Sequence, residues 1–303
     1  MPSKEPAGSI VDRIRKAVPL APYTTWNIGG PAEFFAEPRS QEELEELVAH
    51  ARRVGLRLTV LGRGSNVLID DAGIGGLVIC TRMLHSPPVF GLDTMTVAAG
   101  HPMPRIAVTA GKQGRGGLDF LIGIPGTIGA GVAINAGLGG VTGTAIDSVL
   151  IDVRLLDIAT GQMWLEAASA LDLRYRHSNL PERGLWVMEA KLRATPAEDP
   201  EAPGRLQREI LGKRKAKQPL QKHTSGSVFK QPEGGKPAGW YIDQAGLKGL
   251  RVGGASVSSV HANWIENDGA ASASDVLRLM EEVSEAVSRE FEIVLEREVW
   301  SLQ

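Results

Sequence analysis

The chain is predicted to be an α+β protein of more than one domain, on three observations. Its 303 residues exceed what one compact core normally organises. Segments of helical period and short β-branched runs succeed one another, and neither type dominates. A stretch rich in proline and acid, Thr195–Gly204, then interrupts the pattern and marks the natural boundary between a large first unit and a smaller second one.

The elements follow in order. Ser40 and Glu43 have capping-box spacing, Leu44, Leu47 and Val48 recur at helical period, and Gly55 supplies a stop, so residues 41–54 are predicted as an amphipathic helix. Residues 57–61, 76–80 and 94–99 are short, apolar and β-branched between glycine turns, which predicts strands. A helix is expected over 103–113. Residues 148–158 and 162–166 are predicted as a hairpin about Thr160-Gly161, with another strand at 185–194. After the proline-rich boundary a basic helix is expected over 205–216. Behind Ser272 and Asp275, the residues Val276, Leu279, Met280, Val283 and Val287 share one helical face. A last strand over 293–300 would place Val294, Glu296, Glu298 and Trp300 on one side.

Composition limits the function. Apolar residues make up 43% and charged residues 22%, ordinary globular values, and no apolar run approaches the roughly 20 residues of a membrane span. The opening MPSKEPAGSIVDR lacks the apolar core of a secretory signal, and the single Cys80 can form no internal disulfide, so a reducing cytoplasm is expected. A net charge of −2 argues against a broad nucleic-acid footprint. His101, His223 and His261 lack metal-ligand spacing, so no metal site is expected.

The 36 glycines are the unusual feature, and they crowd residues 29–143 beside Ser, Asn and Thr. Three segments stand out: residues 26–32 (WNIGGPA), 61–68 (LGRGSNVL) and 122–131 (IGIPGTIGAG). Backbone amides freed of side-chain bulk can converge on phosphate oxygens, with Ser65 and Asn66 as added donors, so a pyrophosphate ligand fits. Any one segment alone reads as a hairpin turn. Neither Gly62-Arg63-Gly64 nor Gly129-Ala130-Gly131 has the third glycine of a dinucleotide fingerprint, and neither opens a long helix.

Ser227, within Ser225–Lys230, Arg176 and Glu298 form a second signal: a hydroxyl, a guanidinium and a carboxylate from three distant segments. Each has a plain alternative. Ser227 alone reads as a turn hydroxyl, Arg176 as half of a surface ion pair, and Glu298, by strand alternation, as a solvated edge residue. As a set they suit proton delivery beside a bound carboxylate, since arginine grips a carboxylate through two parallel hydrogen bonds. A buried Glu298 would have its pKa raised by desolvation.

These segments together resemble the UDP-N-acetylenolpyruvoylglucosamine reductases, flavoenzymes that complete UDP-N-acetylmuramate for bacterial peptidoglycan. The resemblance covers residues 20–300 and is carried, in the family's order, by TTWNIGGPAEFF, LGRGSNVLI, GIPGTIGAGVAINAG, YRHSNLP, SGSVFK, GLKGLRVGGASVSSVHANWI and LEREV. It implies an FAD-binding fold of the vanillyl-alcohol oxidase type over residues 1–199, in two lobes of about 20–85 and 86–199, and a smaller α+β substrate domain over 200–303. It implies non-covalent FAD, NADPH as the hydride-donating cosubstrate, and UDP-N-acetylglucosamine enolpyruvate as the substrate. Arg176, Ser227 and Glu298 fall on catalytic positions. The implied FAD contacts are Asn27, then Gly62, Arg63, Gly64, Ser65, Asn66 and Val67, then Gly123, Ile124, Pro125, Gly126 and Thr127, then Gly129, Ala130, Asn135, Ala136 and Gly137. Tyr175, Lys217 and Gln231 are implied substrate contacts, Lys217 on its diphosphate.

The resemblance also implies a cytoplasmic monomer that acts in cell-wall biogenesis, and hence in cell shape and division. The chain resembles the shorter subclass, without a tyrosine-bearing insertion. Gln231 replaces a usual asparagine, Leu138-Gly139-Gly140 replaces a stretch that often carries tyrosine, and the tail Trp300–Gln303 departs as well. A flavin oxidase of the same fold, or a flavin-binding relative without turnover, are the competing functions.

Overall fold

The computed structural model describes residues 9–139 and 141–303. The first eight residues of the opening examined for a signal, and Gly140 of the altered 138–140 stretch, lie outside the described residues.

The first lobe is a four-stranded sheet in the order Arg15–Pro19, Pro31–Ala36, Ile74–Cys80, Leu58–Leu61; the first pair is antiparallel and the others parallel. Helix α1 (Gln41–Val54) packs on it through Leu44, Leu47, Val48 and Ala51. Ser40 Oγ accepts from Glu43 N, but Glu43 takes the amide of Arg39 at 2.7 Å, so the expected capping box is only half formed. Gly55 ends the helix in the left-handed region at φ 73°.

The second lobe is a five-stranded antiparallel sheet in the order Met163–Ala167, Leu150–Asp157, Leu185–Arg193, Thr94–Ala98, Val89–Phe90. The expected hairpin is present, its turn held by Asp157, whose carboxylate accepts from the amides of Ala159 and Thr160. Helices α2 (Met103–Lys112) and α3 (Ile128–Ala133) lie on this sheet. At six residues, α3 agrees with the absence of a long helix after the glycines.

The basic helix α4 (Ala202–Lys217) was assigned to the second unit, and its packing corrects that. Ile210 is buried in the core of the second lobe, and Gln207 Nε2 donates to Ala107 O (2.9 Å) and Asp119 Oδ1 (3.1 Å). The proline-rich segment is no free linker either: Thr195–Pro196 pairs with Arg115–Gly116, and Ala197 N donates to Gly114 O. The core therefore divides near residue 218, where α4 ends, and not at 200.

The remaining chain builds helices α5 (Ala238–Gln244) and α6 (Ala273–Phe291) around a three-stranded sheet, Arg251–Val252, Ala255–Val257 and Ile265–Asn267. The predicted face of α6, from Val276 to Val287, is buried, and Ser272 and Asp275 form a complete capping box. This domain is anchored to the first lobe. Fully buried Trp26 donates Nε1 to Ile265 O at 2.8 Å, Asn267 Nδ2 donates back to Trp26 O at 2.8 Å, and the Asp71 carboxylate caps the amides of Ala273 and Ser274.

The predicted last strand is corrected. Residues 292–299 form no continuous strand: Arg297 makes one antiparallel bridge to Phe229, and Trp300–Leu302 runs parallel to Val67–Ile69 of the first lobe. Val294 is exposed while Glu298 is buried, so the expected shared face does not exist.

Candidate active site

A cleft of about 960 Å³ lies among the three units, at the upper end of ordinary small-molecule sites of about 300–1,000 Å³. One wall is the Gly62–Asn66 loop that leaves strand Leu58–Leu61. Gly64 has φ 62°, and a Cβ there would stand 2.2 Å from Tyr23 O, so only glycine lets the loop lie on that carbonyl. Arg82 pins the loop from behind: its guanidinium donates to Tyr23 O at 2.5 Å and Arg63 O at 3.3 Å and lies over the Tyr23 ring. The facing wall is Gly123–Thr127. A Cβ on Gly62 would meet Thr127 Oγ1 at 2.8 Å, and one on Gly126 would meet Ser65 Oγ at 3.1 Å.

Ser65 and Asn66, expected as ligand donors, are engaged by protein carbonyls. Ser65 Oγ donates to Pro125 O at 3.0 Å, and Asn66 Nδ2 donates to Glu298 O at 3.2 Å. Backbone amides remain as the polar lining of the cradle.

Ser227, Arg176 and Glu298 all line the same cleft. The Ser227 segment is fixed from both sides. Ser227 bridges Trp264, Val228 N donates to Asn263 O, and the Asn263 side chain exchanges two hydrogen bonds with the Phe229 backbone. On the other side Glu298 N donates to Val228 O at 2.8 Å and Lys230 N to Glu296 O at 2.8 Å. This non-local ladder brings a hydroxyl and a carboxyl 71 positions apart in sequence to one wall.

Arg176 comes from the second lobe, on a turn with φ 54°. Asn135 holds that turn through Nδ2 to Arg174 O (3.0 Å) and Asp147 (3.1 Å), and Asp147 N returns a bond to Asn135 Oδ1. The Arg176 guanidinium pairs with the Glu298 carboxylate and donates to Gly137 O at 3.2 Å. With side chains 18% and 10% exposed, this is a shielded pair across two units and not a surface ion pair. Burial pushes the Glu298 pKa upward, against the opposing pull of Arg176 and, more weakly, Lys230.

The other expected residues divide. Gly62–Val67, Gly123–Thr127, Gly129, Ala130, Ala136, Gly137 and Lys217 line the cleft. Asn27 and Asn135 do not; Asn27 is exposed, and Asn135 supports the Arg176 turn. Tyr175 and Gln231 also do not line the cleft and meet each other, Gln231 N donating to Tyr175 Oη at 3.3 Å. Lys230 pairs with Glu296.

Sequence reasoning left out Lys213 and Arg214 beside Lys217, the strand residues Leu185–Val187, and Trp264. A signal existed for Lys213 and Arg214, four and three positions before Lys217 and so on the same helix face. His261 lines the cleft, and burial lowers its pKa, which favours the neutral ring.

Arg63, Arg176, Lys213, Arg214 and Lys217 outnumber the single carboxylate Glu298 on the lining, so the cleft favours anionic ligands. Among the described residues no group of three or more His, Cys, Asp or Glu could hold a metal ion, and no helix is long and apolar enough to cross a membrane.

Two family profiles match the chain. One, described as "FAD binding domain", spans residues 32–165; the other, "UDP-N-acetylenolpyruvoylglucosamine reductase, C-terminal domain", spans residues 218–302. A UDP-N-acetylenolpyruvoylglucosamine reductase of Synechococcus sp. (strain JA-3-3Ab) is 42% identical over 299 residues, covering 99% of this chain and 94% of the relative. That of Moorella thermoacetica is 41% identical over 284 residues, covering 93% and 91%. The crystal structure of UDP-N-acetylenolpyruvylglucosamine reductase from Thermus caldophilus superposes with a TM-score of 0.80 at 33% identity, over 96% of this chain and all of that one.

Proposed function

This chain belongs to the UDP-N-acetylenolpyruvoylglucosamine reductase family, and from that premise we propose that Arg176, Ser227 and Glu298 carry out its chemistry. The protein is an oxidoreductase that uses FAD and NADPH to convert UDP-N-acetylglucosamine enolpyruvate to UDP-N-acetylmuramate in peptidoglycan precursor synthesis. The observation that carries the assignment of roles is the shielded Arg176–Glu298 pair on the same wall as Ser227, opposite a glycine cradle.

The cradle fits FAD. Its facing loops approach one another only because Cβ atoms are missing, and its lining is net cationic, as a dinucleotide diphosphate requires. Residues 62–67 and 123–127 would hold the cofactor. The bound flavin would supply hydride chemistry, with NADPH as the source and the terminal methylene carbon of the enolpyruvyl group as the acceptor.

The chain's own residues supply the rest. Reduction places negative charge on the carboxylate conjugated to the double bond and requires a proton at the carbon bearing the ether oxygen. Arg176 grips that carboxylate and stabilises the developing enolate. Ser227 Oγ delivers the proton, its transient charge offset by the same guanidinium. Glu298 orients Arg176, and burial raises its pKa, which favours the protonated carboxyl more than at an exposed glutamate. Lys217 takes the substrate diphosphate, and Tyr175 and Gln231 contribute further substrate contacts.

The substrate-binding domain is assigned from residue 218, consistent with the packing of α4 on the second lobe. The enzyme is assigned to the cytoplasm as a monomer, and through its wall precursor it serves cell shape and division. Anaerobic stopped-flow absorbance near 450 nm tests the reading. NADPH should bleach the flavin band, and UDP-N-acetylglucosamine enolpyruvate should then restore it. A protein that bleaches but does not recover with this substrate overturns the assignment.

A further inference from the structure

Asn135 is buried and does not line the cleft, and its side-chain amide is spent on the protein. Nδ2 donates to Arg174 O at 3.0 Å and to Asp147 Oδ2 at 3.1 Å, and Oδ1 accepts from Asp147 N at 2.9 Å. With both N–H groups used, the amide has no donor left for a ligand. Its backbone has φ 44°, in the left-handed region that asparagine tolerates.

The segment that carries Asn135 holds the Arg176 turn at three alternate positions. Ala133 O accepts from Ser178 Oγ at 2.6 Å, Asn135 Nδ2 reaches Arg174 O, and Gly137 O accepts from the Arg176 guanidinium at 3.2 Å. The turn needs that support. Arg176 sits at φ 54°, a conformation that a residue other than glycine keeps only where its surroundings impose it. Two backbone bonds close the turn, Arg174 N to His177 O at 3.2 Å and His177 N to Arg174 O at 3.1 Å, and Arg174 O is the carbonyl that Asn135 also holds. A reacting group displaced by about 1 Å costs about 10²-fold in rate, so a slack turn would be felt in the chemistry.

We propose that Asn135 is a positioning residue of the reaction: by clasping Arg174 O to Asp147 it fixes the turn from which Arg176 reaches the substrate carboxylate, and it touches neither cofactor nor substrate. Naming that carboxylate rests on the reductase reading; the hold on the turn does not.

Asn135→Gly and Asn135→Asp test it, because glycine and aspartate both accept a left-handed backbone. Asn135→Gly removes the clasp. Asn135→Asp keeps its shape but sets a second carboxylate beside Asp147, which raises the pKa of the new group; once protonated, that group again donates one hydrogen bond. Asp172, Arg174 and His177 pair with one another on the same turn, and Arg176 pairs with Glu298, so their titrations are common to both variants. Both variants should retain flavin and bleach with NADPH at the wild-type rate, while recovery with UDP-N-acetylglucosamine enolpyruvate slows about tenfold or more. As pH falls, recovery in Asn135→Asp should climb relative to Asn135→Gly. Without substrate at neutral pH, hydrogen exchange at the Arg174 and His177 amides should quicken in both variants, with the Leu185–Arg193 strand unchanged.

The proposal is overturned if recovery stays within about threefold of wild type, or if both half-reactions slow alike. Loss of flavin or of folding in both variants also overturns it, since Asn135 would then belong to the cradle or the core. A ratio of the two variants' recovery rates that is constant across pH, or unchanged exchange at Arg174 and His177, does the same. Should only one variant fold, that one decides through the half-reactions and the exchange. A wild type that bleaches but does not recover with this substrate refutes the reductase reading, while the exchange comparison still reads Asn135.

Discussion

Glu298→Gln isolates what the shielded carboxyl does, because it keeps the shape of the side chain and removes its charge and its titration. In the wild type the Arg176 guanidinium has two holds, the Glu298 carboxylate and Gly137 O at 3.2 Å. The substitution reduces the first to a neutral contact. Loss of a charge-assisted bond of about 1.5–3 kcal/mol corresponds to about 10–150-fold in rate if Glu298 only positions Arg176. If the carboxyl also moves a proton, the loss extends into the range of about 10²–10⁴-fold.

Anaerobic stopped-flow separates the steps. Bleaching by NADPH should proceed at the wild-type rate, and recovery with the enolpyruvyl substrate should slow by at least about tenfold. Recovery within about threefold of wild type, or an equal slowing of both half-reactions, would refute the role.

The same variant has a pH signature. Burial raises the folded pKa of Glu298 above its unfolded value, so the stability associated with its protonated form is present below the unfolded pKa and is lost as pH rises through the folded one. Gln has no such titration. The thermal midpoint of wild type relative to Glu298→Gln should therefore fall as pH rises across that window, and a gap independent of pH would contradict the burial argument.

Other expectations follow from single positions. Ser227→Ala should bleach normally with NADPH but recover about 10²–10⁴-fold more slowly; normal turnover would remove Ser227 as the proton donor. Gly64→Ala must move a Cβ away from Tyr23 O, 2.2 Å distant, at φ 62°, so the purified protein should lose most of its flavin, read as the ratio of absorbance at 450 nm to that at 280 nm; full flavin content would show that the loop is not a close-packed cradle. Cys80 is buried with its thiol pushed up to about 11, so it should resist a disulfide reagent at pH 8 in native protein and react once unfolded; rapid native labelling would contradict that burial.

Much of the fold was legible locally, and the reasons are local. The α1 helix is bounded by Ser40 and Gly55 because a cap acceptor and a left-handed stop are properties of single residues, and the buried face of α6 follows from a 3.6-residue period. The glycine segments announced a binding loop because only glycine permits the approach seen at Gly64. Two expectations failed for non-local reasons. Helix α4 was assigned downstream of the boundary, but Gln207 and Ile210 find their partners in the second lobe. Alternation placed Glu298 on a solvated edge, but residues 292–299 follow the Ser227 segment and the Val67–Ile69 strand instead of a regular strand of their own.

By itself, then, the sequence determined the kinds of elements, the glycine cradle and the identity of the chemical groups, since propensity, capping and side-chain chemistry are carried by residues and their near neighbours. Tertiary structure alone decided that Arg176, Ser227 and Glu298 line one cleft and that the Arg176–Glu298 ion pair is shielded. Those facts depend on pairings between segments tens to hundreds of residues apart, such as Glu298 N with Val228 O and Trp26 Nε1 with Ile265 O, which arise only when the whole chain packs.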